Sequence, residues 1–218
     1  MTVSHTAVKR SDGLDTMARL IEQAKIELEV HGIEKFDIDA VLERAEAARS
    51  SLYHHFGSKL GLIHTTQLDL VVNGLQTDNA ALRYLIEISP SPEAFFEIFA
   101  TFVRSAGSPE NIKLRHRRTQ IFASATTNPQ LAAAIKTSQQ ESTDFLVETL
   151  EILRERGWIN PPFDMHVVAY AIQTMIFGRL ILDFSAQPEL DAEWANTTIN
   201  AILTICGADV SLYSPKRQ

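Results

Sequence analysis

Two cations bracket the run Arg49-Ser50-Ser51-Leu52-Tyr53-His54-His55-Phe56-Gly57-Ser58-Lys59. An arginine can bond bidentately to a guanine edge, the commonest specific protein–DNA contact. Lysine, tyrosine and histidine can reach phosphate oxygens, which set register and affinity rather than sequence. Other chemistry finds little support in the chain. The serines show no nucleophile elbow, and the lone Cys206 has no basic neighbours in sequence. Neither His54-His55 nor His116 falls in a metal-ligand spacing such as H-E-x-x-H, and no glycine-rich phosphate loop is present. Neither enzymatic activity, a cofactor nor a bound metal is expected.

The elements that would position this run are legible upstream and within it. Asp37 is a good N-cap for a first short helix, since its carboxylate can accept from backbone N–H groups two and three residues on. Ile38, Val41, Leu42 and Ala45 then recur on one face. Glu46-Ala47-Ala48 forms the turn, and a second helix runs from about Arg49 to His55. Helices this short need a third to pack on. Leu20, Ile21, Ala24 and Leu28 supply it, with Gly32 as its C-terminal stop. The whole of residues 36–59 therefore reads as a helix-turn-helix. Tyr53 and Phe56 serve equally as core residues, and His55 is expected to be buried and hydrogen-bonded.

This segment resembles the DNA-binding domain of the TetR family of bacterial transcriptional regulators. The resemblance rests on Arg19-Leu20-Ile21, Ala24, Gly32 and Ala45, then Ser51-Leu52-Tyr53-His54-His55-Phe56 and Ser58-Lys59, and covers roughly residues 15–65. It implies that the second helix enters the major groove, with Arg49, Ser50 and Ser51 facing bases and Tyr53, His54 and Lys59 facing phosphates. Three positions depart from the family pattern. Glu46 stands where a turn glycine is common. Ala48 replaces the usual capping serine, at a cost of about 1 kcal/mol. Asp37 replaces a threonine that often touches phosphate.

Composition bounds the rest. The chain has 218 residues and a net charge of −7. Residues 1–60 carry eight cationic against ten acidic side chains, a balance of −2. Phosphate attraction supplies much of DNA affinity, so such a reader must gather its cations on one face. A single cysteine excludes an intramolecular disulfide framework; Cys206 reads as a packed thiol. No hydrophobic signal region opens the chain, so a cytoplasmic location is expected, with no membrane partner.

Beyond the reading segment the pattern is helical throughout, with no alternating strand signal. The expected fold is all-α, with about nine helices. An arm (1–14) precedes the helix-turn-helix domain (15–60). An effector-binding and dimerisation domain (61–210) and a tail (211–218) follow. Lys9 and Arg10 in the arm could reach a minor groove, or the arm is a plain tail. A helix from Ser58 to about Thr77, a short piece over 79–87, and helices starting at Pro92, Glu110, Pro129, Asp164 and Leu190 complete the layout. Phe95, Phe99 and Phe102 with Phe122, Phe145, Met175 and Phe177 form either an apolar ligand cavity or plain core. His116, Arg117, Gln120 and Gln173 are polar candidates for orienting an effector. The cluster Lys113-Arg115-Arg117-Arg118 fits a solvated face. The stretch 167–182 is apolar nearly all round, so it must be buried on most sides. A second subunit is an economical cover, and the family resemblance implies dimerisation through the last two helices, here through Val168, Ile172, Ile176, Ile199 and Ile202.

The expected function is a homodimeric regulator, a repressor, that binds an operator and is released by a small-molecule effector. Two alternatives remain open at this point: a TetR-like protein without strong DNA binding that acts through a protein partner, and a carrier or enzyme on the same scaffold.

Overall fold

The computed structural model describes residues 5–185 and 187–213, and among them every regular element is helical. Nine α-helices follow in order: α1 (His5–His31), α2 (Ile38–Arg44), α3 (Arg49–Phe56), α4 (Lys59–Ile88), α5 (Pro92–Gly107), α6 (Ile112–Ala125), α7 (Pro129–Glu155), α8 (Met165–Phe177) and α9 (Asp191–Ile205). Their starts follow the sequence signals. Ser58, Ser91, Asn128 and Asp164 each accept a backbone N–H of the helix they precede, and proline occupies the first turn of α5 and α7.

Three apolar clusters divide the work. In the first, Leu20, Ala24, Phe36, Val41, Leu42, Ala45, Leu52, Leu62 and Ile63 bind α1–α3 to the first turn of α4, making an N-terminal head. Around α5, the last turns of α7, α8 and α9, a second cluster centres on Phe95, Phe96, Val103, Leu150, Val168, Ile199 and Ile202. A small cluster of Val71, Ile121, Leu131 and Ile135 joins α4, α6 and α7 between them. At a rise of 1.5 Å per residue, the 30 residues of α4 span about 45 Å, so one helix carries the head and enters the body.

Several expectations are corrected. α1 begins at His5, so residues 5–14, read without a helical period, are helical. No proline lies between His5 and Leu20 to stop it. Residues 1–4 and 214–218 lie outside the described residues. α4 is unbroken to Ile88 because no proline occurs before Pro90, and weak helix formers around Thr77 are carried by packing on either side. In the expected tail, Tyr213 is buried against the main core. α8 stops at Phe177 and tightens into a 3₁₀ turn over Gly178–Phe184.

That turn has a clear purpose. It aims Arg179 and Asp183 inward, where both side chains are almost fully buried. Asp183 accepts from Arg115 Nε (2.8 Å) and Nη2 (2.5 Å) and from Arg179 Nη1 (3.0 Å), while Arg179 Nη2 meets Asp191 at 2.9 Å. Arg115 Nη1 also donates to the carbonyls of Ala106 and Ser108, both at 2.8 Å. Arg179 Nε donates to the Gly107 carbonyl at 3.0 Å, and a Cβ on Gly107 would meet the Trp194 ring at 2.7 Å. Only glycine lets α5 approach this closely. Arg115 thus belongs to a buried ionic lock between α6 and the α8–α9 connection, not to a solvated face. Burial pushes the Asp183 carboxyl up, but Arg115 and then Arg179 outweigh it and hold it below the ordinary range.

Candidate DNA-reading surface

The reading motif is built from its caps outward. Asp37 Oδ1 accepts from the N–H groups of Asp39 (2.9 Å) and Ala40 (3.3 Å), starting α2. Its carboxylate is therefore committed to the backbone. At the other end of α2, Ala47 N–H donates to Leu42 O (3.0 Å) and Glu46 N–H to Glu43 O (3.1 Å). This is the Schellman closure, which needs a left-handed residue at its first post-helical position. That residue is Glu46, with φ +49°, the one non-glycine at positive φ among the described residues. The family's glycine preference there thus has a backbone cause. Ala48 precedes α3 with capping geometry (φ −72°, ψ 148°) but no side-chain cap. Gly57, at φ +71°, closes α3 through its N–H to the Tyr53 carbonyl at 3.1 Å.

A buried acid fixes the pose of this motif. Glu27 of α1 accepts from Arg44 Nη2 at 2.6 Å and from the Asp37 N–H at 3.2 Å. Burial pushes its carboxyl up, and those two bonds outweigh that effect, so it sits below its ordinary range. Arg19 Nε adds a bond to the Ala45 carbonyl at 3.0 Å, tying α1 to the end of α2.

Arg49, Ser50, Tyr53 and His54 lie on the exposed face of α3, and Ser51 is half-buried. Tyr53 is 54% exposed, so it is not a core residue; Leu52 alone is buried from this helix. His55 is half-buried against the rings of His54 and Phe56, at centroid distances of 4.9 and 6.2 Å. Lys59 opens α4, donates to the Phe36 carbonyl at 2.6 Å and lies over the Phe36 ring. It ties α4 to the loop before α2 as well as standing at a helix start. Arg49 is ion-paired with Asp39 of α2, both side chains more than half exposed. The pairing of Asp39 with Arg49 is the feature of this surface that sequence reasoning did not foresee. Its only signal was an acid in the first turn of the preceding helix, which reads equally as a favourable helix-dipole charge.

The residues expected around an effector do not share one cavity. An apolar void of about 40 Å³ lies in the main core, lined by Phe95, Phe96, Phe99, Leu146, Thr149, Ile172 and Cys206 among others. Phe95 and Phe99 reach it; the other candidates pack elsewhere. Phe102 is half-buried beyond it, and Met175 packs at the edge of the core. Phe122 and Phe177 make an edge-to-face pair at 5.5 Å, and Phe145 lies under the Arg83 guanidinium at 5.0 Å. Gln173 accepts from Thr143 at 3.2 Å. His116 stacks on Phe184 at 5.2 Å, near Asp183. Arg117 pairs with Glu29 of the head at 3.1 Å and, with Gln120, borders a gap of about 10 Å³ between α1, α4 and α6. The reason is helical geometry. Residues one or two positions apart along α6 face different neighbours, the head and the body. Burial pushes the Cys206 thiol up to about 12, so it is an unreactive packing group.

The residues expected at a dimer face lie in or against the chain's own core. Val168, Ile172, Ile199 and Ile202 are buried in the chain's own core, and Ile176 is half-buried against it. The face left open on α8 and its 3₁₀ extension carries Val167 (59% exposed), Tyr170, Phe177 and Ile181 (77% exposed). Their steps of three, seven and four residues were readable in the sequence, but an all-round apolar helix does not say which stripe faces inward. The segment Met165–Phe184 is long and apolar enough to cross a membrane. Here it buries one face and its Arg179–Asp183 pair in protein.

With this geometry in view, comparison with known proteins is direct. Residues 20–66 match the family described as bacterial regulatory proteins, tetR family. Residues 20–66 thus form a helix-turn-helix domain of the TetR type. It is 22% identical over 186 residues to the HTH-type transcriptional regulator UidR of Escherichia coli K12, covering 84% of this chain and 86% of UidR. Among solved structures, a TetR-family transcriptional regulator from Mesorhizobium loti superposes with a TM-score of 0.68 at 18% identity, over 90% of this chain and 98% of that one. Salmonella enterica GusR superposes with a TM-score of 0.61 at 18% identity, over 88% and 96% of the two chains. The chain thus carries a TetR-type helix-turn-helix head on an all-α body of the same fold as these regulators.

Proposed function

We propose that this TetR-family regulator is a cytoplasmic repressor that binds a near-palindromic operator as a homodimer and leaves it when a small molecule occupies the body. The observation that carries the reading is the exposed polar face of α3. Arg49, Ser50, Tyr53 and His54 stand in a row on a helix whose other side is sealed by Leu52. A helix so placed can enter a major groove, and two such heads must meet grooves one helical turn apart, about 34–36 Å, or a multiple of that.

Dimerisation is supported by the open stripe of Val167, Tyr170, Phe177 and Ile181, since contiguous apolar surface of this kind marks an interaction site. Effector release is supported by the void around Phe95, Phe99 and Ile172. At about 40 Å³ it is far below the roughly 300 Å³ of a ligand site, so an effector must part α5, α7, α8 and α9 to enter. Such a ligand shifts the population toward a wider body and a different head spacing.

The test is a fluorescence-anisotropy titration of wild type and Arg49→Ala against the intergenic DNA beside the gene. Wild type should bind, and the variant should bind at least tenfold more weakly. No wild-type binding at low salt rejects the repressor reading in favour of a protein-partner role. In sedimentation, Phe177→Arg should yield monomers, whereas a dimeric variant rejects the α8 interface.

A further inference from the structure

Arg49 does not stand alone on the reading face. Its guanidinium is held by a carboxylate from the other helix of the motif, Asp39 Oδ1 on Arg49 Nη2. We propose that Asp39 is a positioning residue that sets DNA specificity: it aims Arg49 at a base edge and neutralises its attraction for phosphate. The inference rests on the reading of α3 as the groove-entering helix.

The geometry supports each half. Asp39 is the second residue of α2, and its own N–H is bonded to the Asp37 carboxylate at 2.9 Å, so its backbone is anchored. Arg49 is the first residue of α3, just across the four-residue turn. A guanidinium offers five N–H donors in a rigid fork. Asp39 engages it at Nη2 and leaves the remaining edge for the two acceptors of guanine, O6 and N7. A long side chain already held in place loses less freedom on binding, which sharpens the match to one base. The charge argument runs in the same direction. A paired arginine is close to neutral at the range of a backbone phosphate, so sequence-independent affinity falls while hydrogen-bond readout remains. A net acidic head can afford little indiscriminate binding and depends on such readout.

The experiment uses the full-length protein. Wild type first selects its preferred duplex from a random pool. The guanine whose replacement by adenine no longer matters in Arg49→Ala is the position read by Arg49. The ratio of Kd values for that replacement against the selected duplex is then measured for wild type, Asp39→Ala, Arg49→Ala and the double variant. Wild type should show a ratio of at least about tenfold. Asp39→Ala should reduce it to about threefold or less, while binding unrelated duplex more tightly and with a steeper salt dependence, by about one phosphate contact. In the Arg49→Ala background, Asp39→Ala should leave the ratio unchanged. The proposal is overturned if Asp39→Ala keeps the wild-type ratio, or changes it equally when Arg49 is absent. Asp39→Asn, which keeps the shape and the start of α2, repeats the measurement if circular dichroism shows the alanine variant misfolded. A wild type that selects no duplex overturns the DNA-reading function itself and this proposal with it. A wild type that selects a duplex with no position sensitive to Arg49 overturns this proposal alone.

Discussion

The strained turn of the reading motif offers a sharp test of the physical account. Glu46 sits at φ +49° because the Schellman closure of α2 demands a left-handed residue after the helix. For a residue with a Cβ this conformation costs roughly 1–2 kcal/mol. Glu46 also puts an acid at the negative end of the α2 dipole, worth a further 0.3–1 kcal/mol or so at an exposed site. Glu46→Gly removes both penalties and adds about 0.5–1 kcal/mol of unfolded-chain entropy against itself. The balance is a stabilisation of about 1 kcal/mol. Glu46→Ala removes the charge but keeps the strained backbone, so it should gain only about 0.3–1 kcal/mol. Urea unfolding of the three proteins, followed by circular dichroism at unchanged m value, gives the comparison. Glycine should exceed alanine by about 0.5–1 kcal/mol. A glycine variant no more stable than the alanine variant would refute the strain argument.

Three further outcomes follow from the same structure. Ala48→Ser should stabilise the protein by about 1 kcal/mol in urea unfolding, because the backbone at Ala48 already has capping geometry and lacks only an acceptor; no gain would mean that water caps α3 equally well. Asp183→Ala should cost about 3–5 kcal/mol, since it strands Arg115 and Arg179, which are 12% and 3% exposed; a loss under 1 kcal/mol would show that the lock is not coupled to folding. Acid should weaken both Glu27 and Asp183 sites. Each carboxyl is held below its ordinary value (4.5 and 3.8), so its contribution is fully present above that value and is lost as pH falls through the lower native one. Unfolding midpoints should therefore drop between pH 5 and pH 3, and Glu27→Gln should drop less steeply than wild type over that range; parallel slopes would contradict the assignment.

Much of the layout was legible locally. Asp37, Ser58, Ser91, Asn128 and Asp164 announce helix starts because capping is a contact within three residues. Leu20, Ala24, Val41, Leu42 and Leu52 announce the head because periodicity and burial coincide in short amphipathic helices. The candidate sites were less legible. Phe122, Phe145 and Phe177 share composition with Phe95 and Phe99, yet only the latter two reach the void. Arg115 and Arg117 are two residues apart on α6, and one enters a buried lock while the other grips the head. Adjacent positions on a helix face different neighbours, and the sequence carries no record of which neighbour lies on which side.

What the sequence determined by itself is the all-α pattern, most of the helix starts, and the helix-turn-helix that places Arg49 at the start of its second helix. These are decided by interactions spanning a few residues. Tertiary structure alone decided that α8 turns Val168 and Ile172 inward and leaves Tyr170 and Ile181 bare, and that Asp39 closes on Arg49 across the turn. Both depend on how one helix is rotated against another. That rotation is set by the summed packing of every layer, and no single stretch of sequence encodes it.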